Sequence, residues 1–136
     1  MAIHLFTETL VFEIGTSDFF MSFFDTIDFH LTKGILARKY PIVLGEFQQG
    51  KLKYENLDKG ERELKLIQNK LSKFKPSEMI WDKHDLNKKP PWGNNISSEI
   101  TNLSNYFVTS DGKNLFDVIY RAINQAKSEK CDLTIK

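Results

Sequence analysis

Three stretches of this 136-residue sequence carry side chains whose type and spacing could do chemistry. Asp82-Lys83-His84-Asp85 places two carboxylates and an imidazole close together, the groups that hold a divalent metal or divide general acid and base roles. Cys131 is a nucleophile if a histidine lies near enough to lower its pKa. Lys88-Lys89-Pro90-Pro91-Trp92-Gly93-Asn94-Asn95 offers binding chemistry: two prolines hold an extended path and present the large amphipathic ring of Trp92 on a loop ordered in advance. Such pre-ordering lowers the entropic cost of association, and tryptophan is enriched where interfaces hold most of their energy.

Neither catalytic pattern is completed. The histidines are His4, His30 and His84, with no H-x-x-x-H or H-E-x-x-H spacing, and one cysteine cannot anchor a zinc set. There is no G-x-S-x-G elbow, no G-x-x-x-x-G-K-[ST] loop and no G-x-G-x-x-G turn. Asp82, His84 and Asp85 are expected to be solvated in a polar loop, and Cys131 to be a buried structural thiol in a strand. No catalytic residue, metal ligand or cofactor is assigned. A small metal-dependent hydrolase built on Asp82, His84 and Asp85 stays open as an alternative.

The elements that must position these groups follow from periodicity. Ile3 to Ile14 reads as one long strand with apolar residues on both faces, ended by Gly15. Thr16 or Ser17 can cap a helix in which Phe19, Phe20, Phe23, Phe24, Ile27 and Leu31 form a broad apolar stripe facing the core. Lys33-Gly34 supplies its stop. Tyr40 to Phe47 is ambiguous between strand and helix, and Pro41 at a first helical position favours helix. Asn56 to Phe74 is a second amphipathic helix, weakened near its start by Gly60. Met79 to Asp82 is expected as a short strand, residues 85–95 as a loop of defined shape, and 96–108 as a helical turn followed by a strand ending at Tyr106-Phe107-Val108. Ser110-Asp111-Gly112-Lys113 is a turn, Asn114 to Ser128 a third helix, and Cys131 to Ile135 a terminal strand. The expected fold is α+β, a small, partly antiparallel sheet with about three main helices packed on it, in a single domain over residues 1–136.

Composition narrows the function. Apolar content of 40%, charged content of 27% and a net charge of +1 describe an ordinary globular chain with no overall field for nucleic acid or membrane. The charge is uneven, with acids in excess over residues 1–50 and Lys or Arg in excess over 51–90. The Lys-rich second helix leaves a regulatory nucleic-acid-binding module as a further alternative, although glutamates interrupt it and no aromatic platform lies among its lysines. No basic, cleavable leader opens the sequence, no apolar run approaches the ~20 residues of a membrane span, and a lone cysteine fits a reducing compartment. A cytoplasmic location is expected.

Several stretches resemble immunity protein 70 of bacterial polymorphic toxin systems: Gly15-Thr16-Ser17-Asp18-Phe19, Gln49-Gly50-Lys51-Leu52 with Tyr54-Glu55-Asn56, Trp81-Asp82, Pro90-Pro91-Trp92-Gly93 with Asn95-Ile96-Ser97, and Leu103-Ser104-Asn105-Tyr106-Phe107-Val108-Thr109-Ser110-Asp111-Gly112. The resemblance covers nearly the whole chain. It implies a small non-enzymatic protein that binds the C-terminal domain of a cognate toxin and neutralises it, with no nucleic acid, membrane or cofactor as partner. It carries no contact residues with it. On side-chain chemistry alone, either Trp92 folds back to plug the edge of the core, or it grips the toxin together with Pro91, with Tyr106 and Trp81 behind them. The oligomeric state is left open.

Overall fold

The apolar alternation from Ile3 to Ile14 predicts one strand. In the computed structural model, which describes residues 2–32, 39–93 and 95–136, that stretch is instead an antiparallel hairpin of β1 (Ala2–Phe6) and β2 (Val11–Thr16). Its turn contains no glycine or proline, so the usual signal is missing. The turn is held partly from outside. The Thr7 N–H donates to the Leu10 carbonyl at 3.0 Å, and the Leu10 N–H donates to the Thr7 hydroxyl at 3.0 Å. The Glu129 carboxylate, near the other end of the chain, accepts the Thr7 hydroxyl at 2.8 Å, the Thr9 hydroxyl at 2.8 Å and the Thr9 N–H at 3.1 Å.

Helix α1 (Ser17–Ile27) starts as expected. The Thr16 hydroxyl accepts the Phe19 N–H at 3.2 Å, and Asp18 lies in the first turn, where the helix dipole favours a negative charge. Phe19, Phe20, Phe23, Phe24 and Ile27 are buried. Leu31 falls on a wider, π-type turn (Asp28–Thr32) that continues α1. The stop expected at Lys33-Gly34 lies outside the described residues. Pro41 does open a helical run, but of π type (Pro41–Glu46), followed by a 3-10 turn (Phe47–Gln49). Its unsatisfied N–H groups are taken by Glu63, whose carboxylate accepts from Val43 at 2.8 Å and Ile42 at 3.1 Å.

A short strand the sequence does not suggest, β3 (Lys51–Leu52), precedes α2 (Leu57–Leu71). Gly60 lies within the opening turns of α2 without ending them. A β-carbon there would stand 3.2 Å from Leu52 and 3.3 Å from Ile42, so the glycine permits close packing. The strands expected over Met79–Asp82 and Tyr106–Val108 do not form. Ile80 pairs with a side chain of α1, and Val108 makes only an isolated bridge to Asn114. Helix α3 (Leu115–Glu129) is capped by Asn114, which accepts the Phe116 N–H at 2.9 Å, and β4 (Leu133–Ile135) closes the chain as expected.

The four strands form one antiparallel sheet in the order β2-β1-β4-β3, giving an α+β fold. Because β4 lies between β1 and β3, the last strand joins the first to the third. Helices α1 and α3 pack on the sheet and α2 packs on α3. Phe23 of α1 stands edge-on to Phe107 and to Phe116, each at 5.3 Å, so the aromatic stripe also holds the irregular stretch that carries Phe107. Among the described residues no helix is long and apolar enough to cross a membrane.

Desolvation opposes ionisation of Glu129, but hydrogen bonds from Gln125, Thr9 and Thr7 outweigh it and bring its carboxyl from 4.5 down to about 2. A carboxyl with a depressed folded-state pKa contributes stability that is present above its unfolded value and lost as pH falls through the folded value. Glu129→Gln is therefore expected to lower stability at neutral pH. The difference from the parent should shrink between pH 4.5 and about 2. Urea unfolding across that range checks it, and a difference that does not change with pH would remove Glu129 as the anchor of the hairpin.

Candidate functional site

The carboxylates of the Asp82-to-Asp85 cluster are spent on local turns. Asp82 Oδ1 accepts the His84 N–H at 2.9 Å, and Asp85 Oδ1 accepts the Asn87 N–H at 3.2 Å. The Asp82 carboxyl is held below the usual carboxylate range, chiefly by that His84 N–H, with a smaller share from Lys88, whose ammonium lies 3.6 Å away. His84 and Asp85 are exposed. Among the described residues no group of three or more His, Cys, Asp or Glu side chains is gathered as a metal site. Cys131 is buried beside β4, and desolvation raises its pKa, which suppresses the thiolate.

The Trp92 loop is folded against the body of the protein. The Trp92 indole N–H donates to the Tyr106 hydroxyl at 2.8 Å. Its ring meets Phe19 of α1 edge-on at 6.5 Å and Trp81 edge-on at 5.5 Å. The four residues singled out from the sequence thus form one neighbourhood, with different exposures. Pro91 is exposed, Trp92 and Trp81 are half-buried, and Tyr106 is only 6% exposed. Burial raises the Tyr106 pKa against the lowering effect of the Trp92 hydrogen bond, so the phenol stays protonated. Tyr106 supports Trp92 more than it offers a ring of its own.

What places Trp81 is a row of short polar side chains on α1 and the turn beyond it. The Thr26 hydroxyl donates to the Ile80 carbonyl at 3.2 Å and accepts the Ile80 N–H at 3.0 Å, as a strand partner would. Asp25 accepts the Lys83 N–H at 3.1 Å, Asp28 receives the Lys83 ammonium at 2.8 Å, and His30 Nε2 meets the Glu78 carbonyl at 2.5 Å. Desolvation raises the Asp25 pKa, opposed by the Lys83 N–H and ammonium. These anchors did not emerge from the sequence reading. Their signal was present, since α1 has no Lys, Arg, Glu or Gln, and a helix without long polar side chains lacks the solvated face expected of a surface helix.

Three concavities surround the two tryptophans. A cleft of about 660 Å³ has walls from Met79, Ile80, Trp81, Leu86 and Tyr106, and among the described residues the charged ones that line it are Lys75, Lys88 and Lys89. A smaller one of about 400 Å³ runs beside β2 between Ile14, Phe19, Trp92, Ile100 and Val108, and none of the described residues that line it is charged. A third, also about 400 Å³, lies across Trp81 from the first and is polar, lined by Asp18, Asp25, Asp82, Lys83, His84 and Lys88. Each contains one large, exposed apolar side chain: Leu86 in the first, Val108 in the second, Met21 in the third.

Residues 5–135 match the protein family described as Immunity protein 70. No curated protein and no solved structure matches the chain.

Trp92→Phe keeps an aromatic ring against Phe19 and Trp81 but deletes the donor to the buried Tyr106 hydroxyl. It is expected to cost about 1–3 kcal/mol, because the buried Tyr106 hydroxyl is left without that partner. A double-mutant cycle with Tyr106→Phe, read by urea unfolding, should return most of that as coupling between the two side chains. A coupling indistinguishable from zero would mean that the hydrogen bond does not hold the loop.

Proposed function

The chain belongs to the immunity protein 70 family, and on that premise we propose that it is a single-domain cytoplasmic protein that binds the C-terminal domain of a cognate bacterial toxin and neutralises it without catalysing a reaction. The family match over residues 5–135 carries this reading. The physical argument for binding is the face around Trp92. Pro91 and Trp92 form its ridge with Trp81, Tyr106 supports Trp92 from beneath, and the three clefts give a partner's side chains somewhere to enter. Affinity in such interfaces is concentrated in a few aromatic anchors within a water-excluding rim.

The mechanism is occlusion. A toxin seated over this ridge has its own active surface covered, or is prevented from reaching its target, for as long as the complex lasts. No residue of this chain then needs to react. The turns around Asp82 and Asp85, which use their carboxylates for local backbone bonds, fit a structural role for that cluster.

Co-expression in a sensitive host with the C-terminal domain encoded by the adjacent large gene is the decisive experiment. Restored growth together with a co-purifying complex is expected, and a toxic neighbour that is neither relieved nor bound overturns the reading. Within that complex, Trp92→Ala on protein verified as folded should weaken binding by about 2 kcal/mol or more, as for an interface hot spot. Parental affinity in a folded Trp92→Ala variant takes Trp92 out of the interface.

A further inference from the structure

The two clefts on either side of Trp81 differ in charge, which bears on what the partner brings to them. In the larger cleft Lys88 is engaged with Asp82, whereas Lys75 and Lys89 make no ion pair among the described residues. Both are exposed, above walls of Met79, Ile80, Trp81 and Leu86. Across Trp81 the balance reverses. There Lys83 is tied to Asp28 and Lys88 to Asp82, while Asp18 makes no ion pair among the described residues.

We propose that the cleft bounded by Lys75, Lys88 and Lys89 receives a protruding segment of the protein partner that carries an apolar or aromatic anchor flanked by carboxylates. The inference rests on the immunity reading and specifies the partner chemistry at its proposed face. The anchor lies against Met79, Ile80 and Leu86, where about 660 Å³ is room for a large side chain and its neighbours. Its acidic neighbours meet Lys75 and Lys89 at the rim, where charge speeds encounter and fixes register, and where a glutamate in place of either lysine sets like charges together and opposes binding.

A nucleic acid would also be drawn to lysines, but the surroundings disfavour it. Stacking of successive bases needs several open rings, whereas the aromatic residues lining the larger cleft are, among the described residues, Trp81 and Tyr106, and Tyr106 is buried. A phosphate chain leaving the cleft across Trp81 would run into Asp18, Asp25 and Asp82. A protein segment can place charges of opposite sign a few residues apart, and a polyphosphate backbone cannot.

The test is calorimetric titration of the neighbouring toxin domain into the parent, a Lys75→Glu/Lys89→Glu variant and a control. The control is Lys53→Glu/Lys59→Glu, an equal change in net charge at exposed positions outside all three clefts. Expected is a loss of about tenfold or more for the cleft pair at low salt, shrinking as salt is added, against at most about a twofold change for the control. A complex that tolerates the cleft pair as well as the control overturns this inference and leaves the immunity reading standing. No complex with the parent overturns both. A single-stranded 20-mer of DNA or RNA bound by the parent, with binding abolished by the cleft pair, overturns the inference in favour of nucleic acid. The parent and the two substituted proteins are compared once their melting temperatures are shown to agree, which substitutions at exposed lysines should leave unchanged.

Discussion

The candidate face depends on one feature of α1: its buried surface has two chemistries. One stripe is aromatic and joins the core. Beside it, Thr26, Asp25 and Asp28 are buried as well and serve as hydrogen-bonding partners for residues 80–83. A backbone without a strand or helix of its own must find partners for its N–H and C=O groups or lose roughly the desolvation cost of each, about 1–3 kcal/mol. Residues 79–83 have no such element, and Thr26, Asp25 and the Lys83–Asp28 pair take its place. Asp28 is 2% exposed, so removing Lys83 would leave a buried charge unpaired, which is more damaging than the intact pair is stabilising.

The clefts follow from that arrangement. Among the described residues of 79–114 there is no helix or strand, and the stretch is tied to the body at separated points. Leu103 N–H reaches the Phe74 carbonyl at 3.1 Å, Ser110 N–H reaches Ile14 of β2 at 3.0 Å, and Phe107 is set into the core beside Phe23. Between such attachments the irregular chain leaves gaps, and the gaps are the concavities flanking Trp81 and Trp92. Gly15 contributes at the β2 end. It adopts φ +151°, and a β-carbon there would press the Phe19 ring at 3.2 Å, against which Trp92 leans. Side chains in a docking face are thus held by the core without being part of it, which keeps them ordered before a partner arrives.

Most of the regular elements were legible in the sequence. The Phe19-to-Leu31 stripe, the Thr16 cap, the Leu57-to-Leu71 spacing, the Asn114 start of α3 and the final strand all rest on local periodicity or on a side chain bonding its own neighbourhood, and these need no tertiary context. The hairpin was not legible, because its turn lacks glycine and proline and is held by Glu129 about 120 positions away in sequence. The strands expected at Met79 and Tyr106 were misread for a related reason. Short apolar runs have the composition of a strand, but the partner each one finds lies elsewhere in the chain: a threonine hydroxyl for Ile80, the phenylalanine cluster for Phe107.

The sequence by itself therefore determined the α+β class, the three main helices and the grouping of Pro91, Trp92, Tyr106 and Trp81 as residues of interest. It could do so because apolar spacing, caps and side-chain size act over a few residues. Only the tertiary structure decided that Tyr106 is buried as the acceptor for Trp92, that Asp25, Thr26 and Asp28 hold the Trp81 segment, and that Asp18, Asp25 and Asp82 line the cleft across Trp81 from the one that Lys75 and Lys89 border. Those outcomes depend on which side chains meet across 14 to 58 positions of chain, and local preference carries no information about the identity of a distant partner.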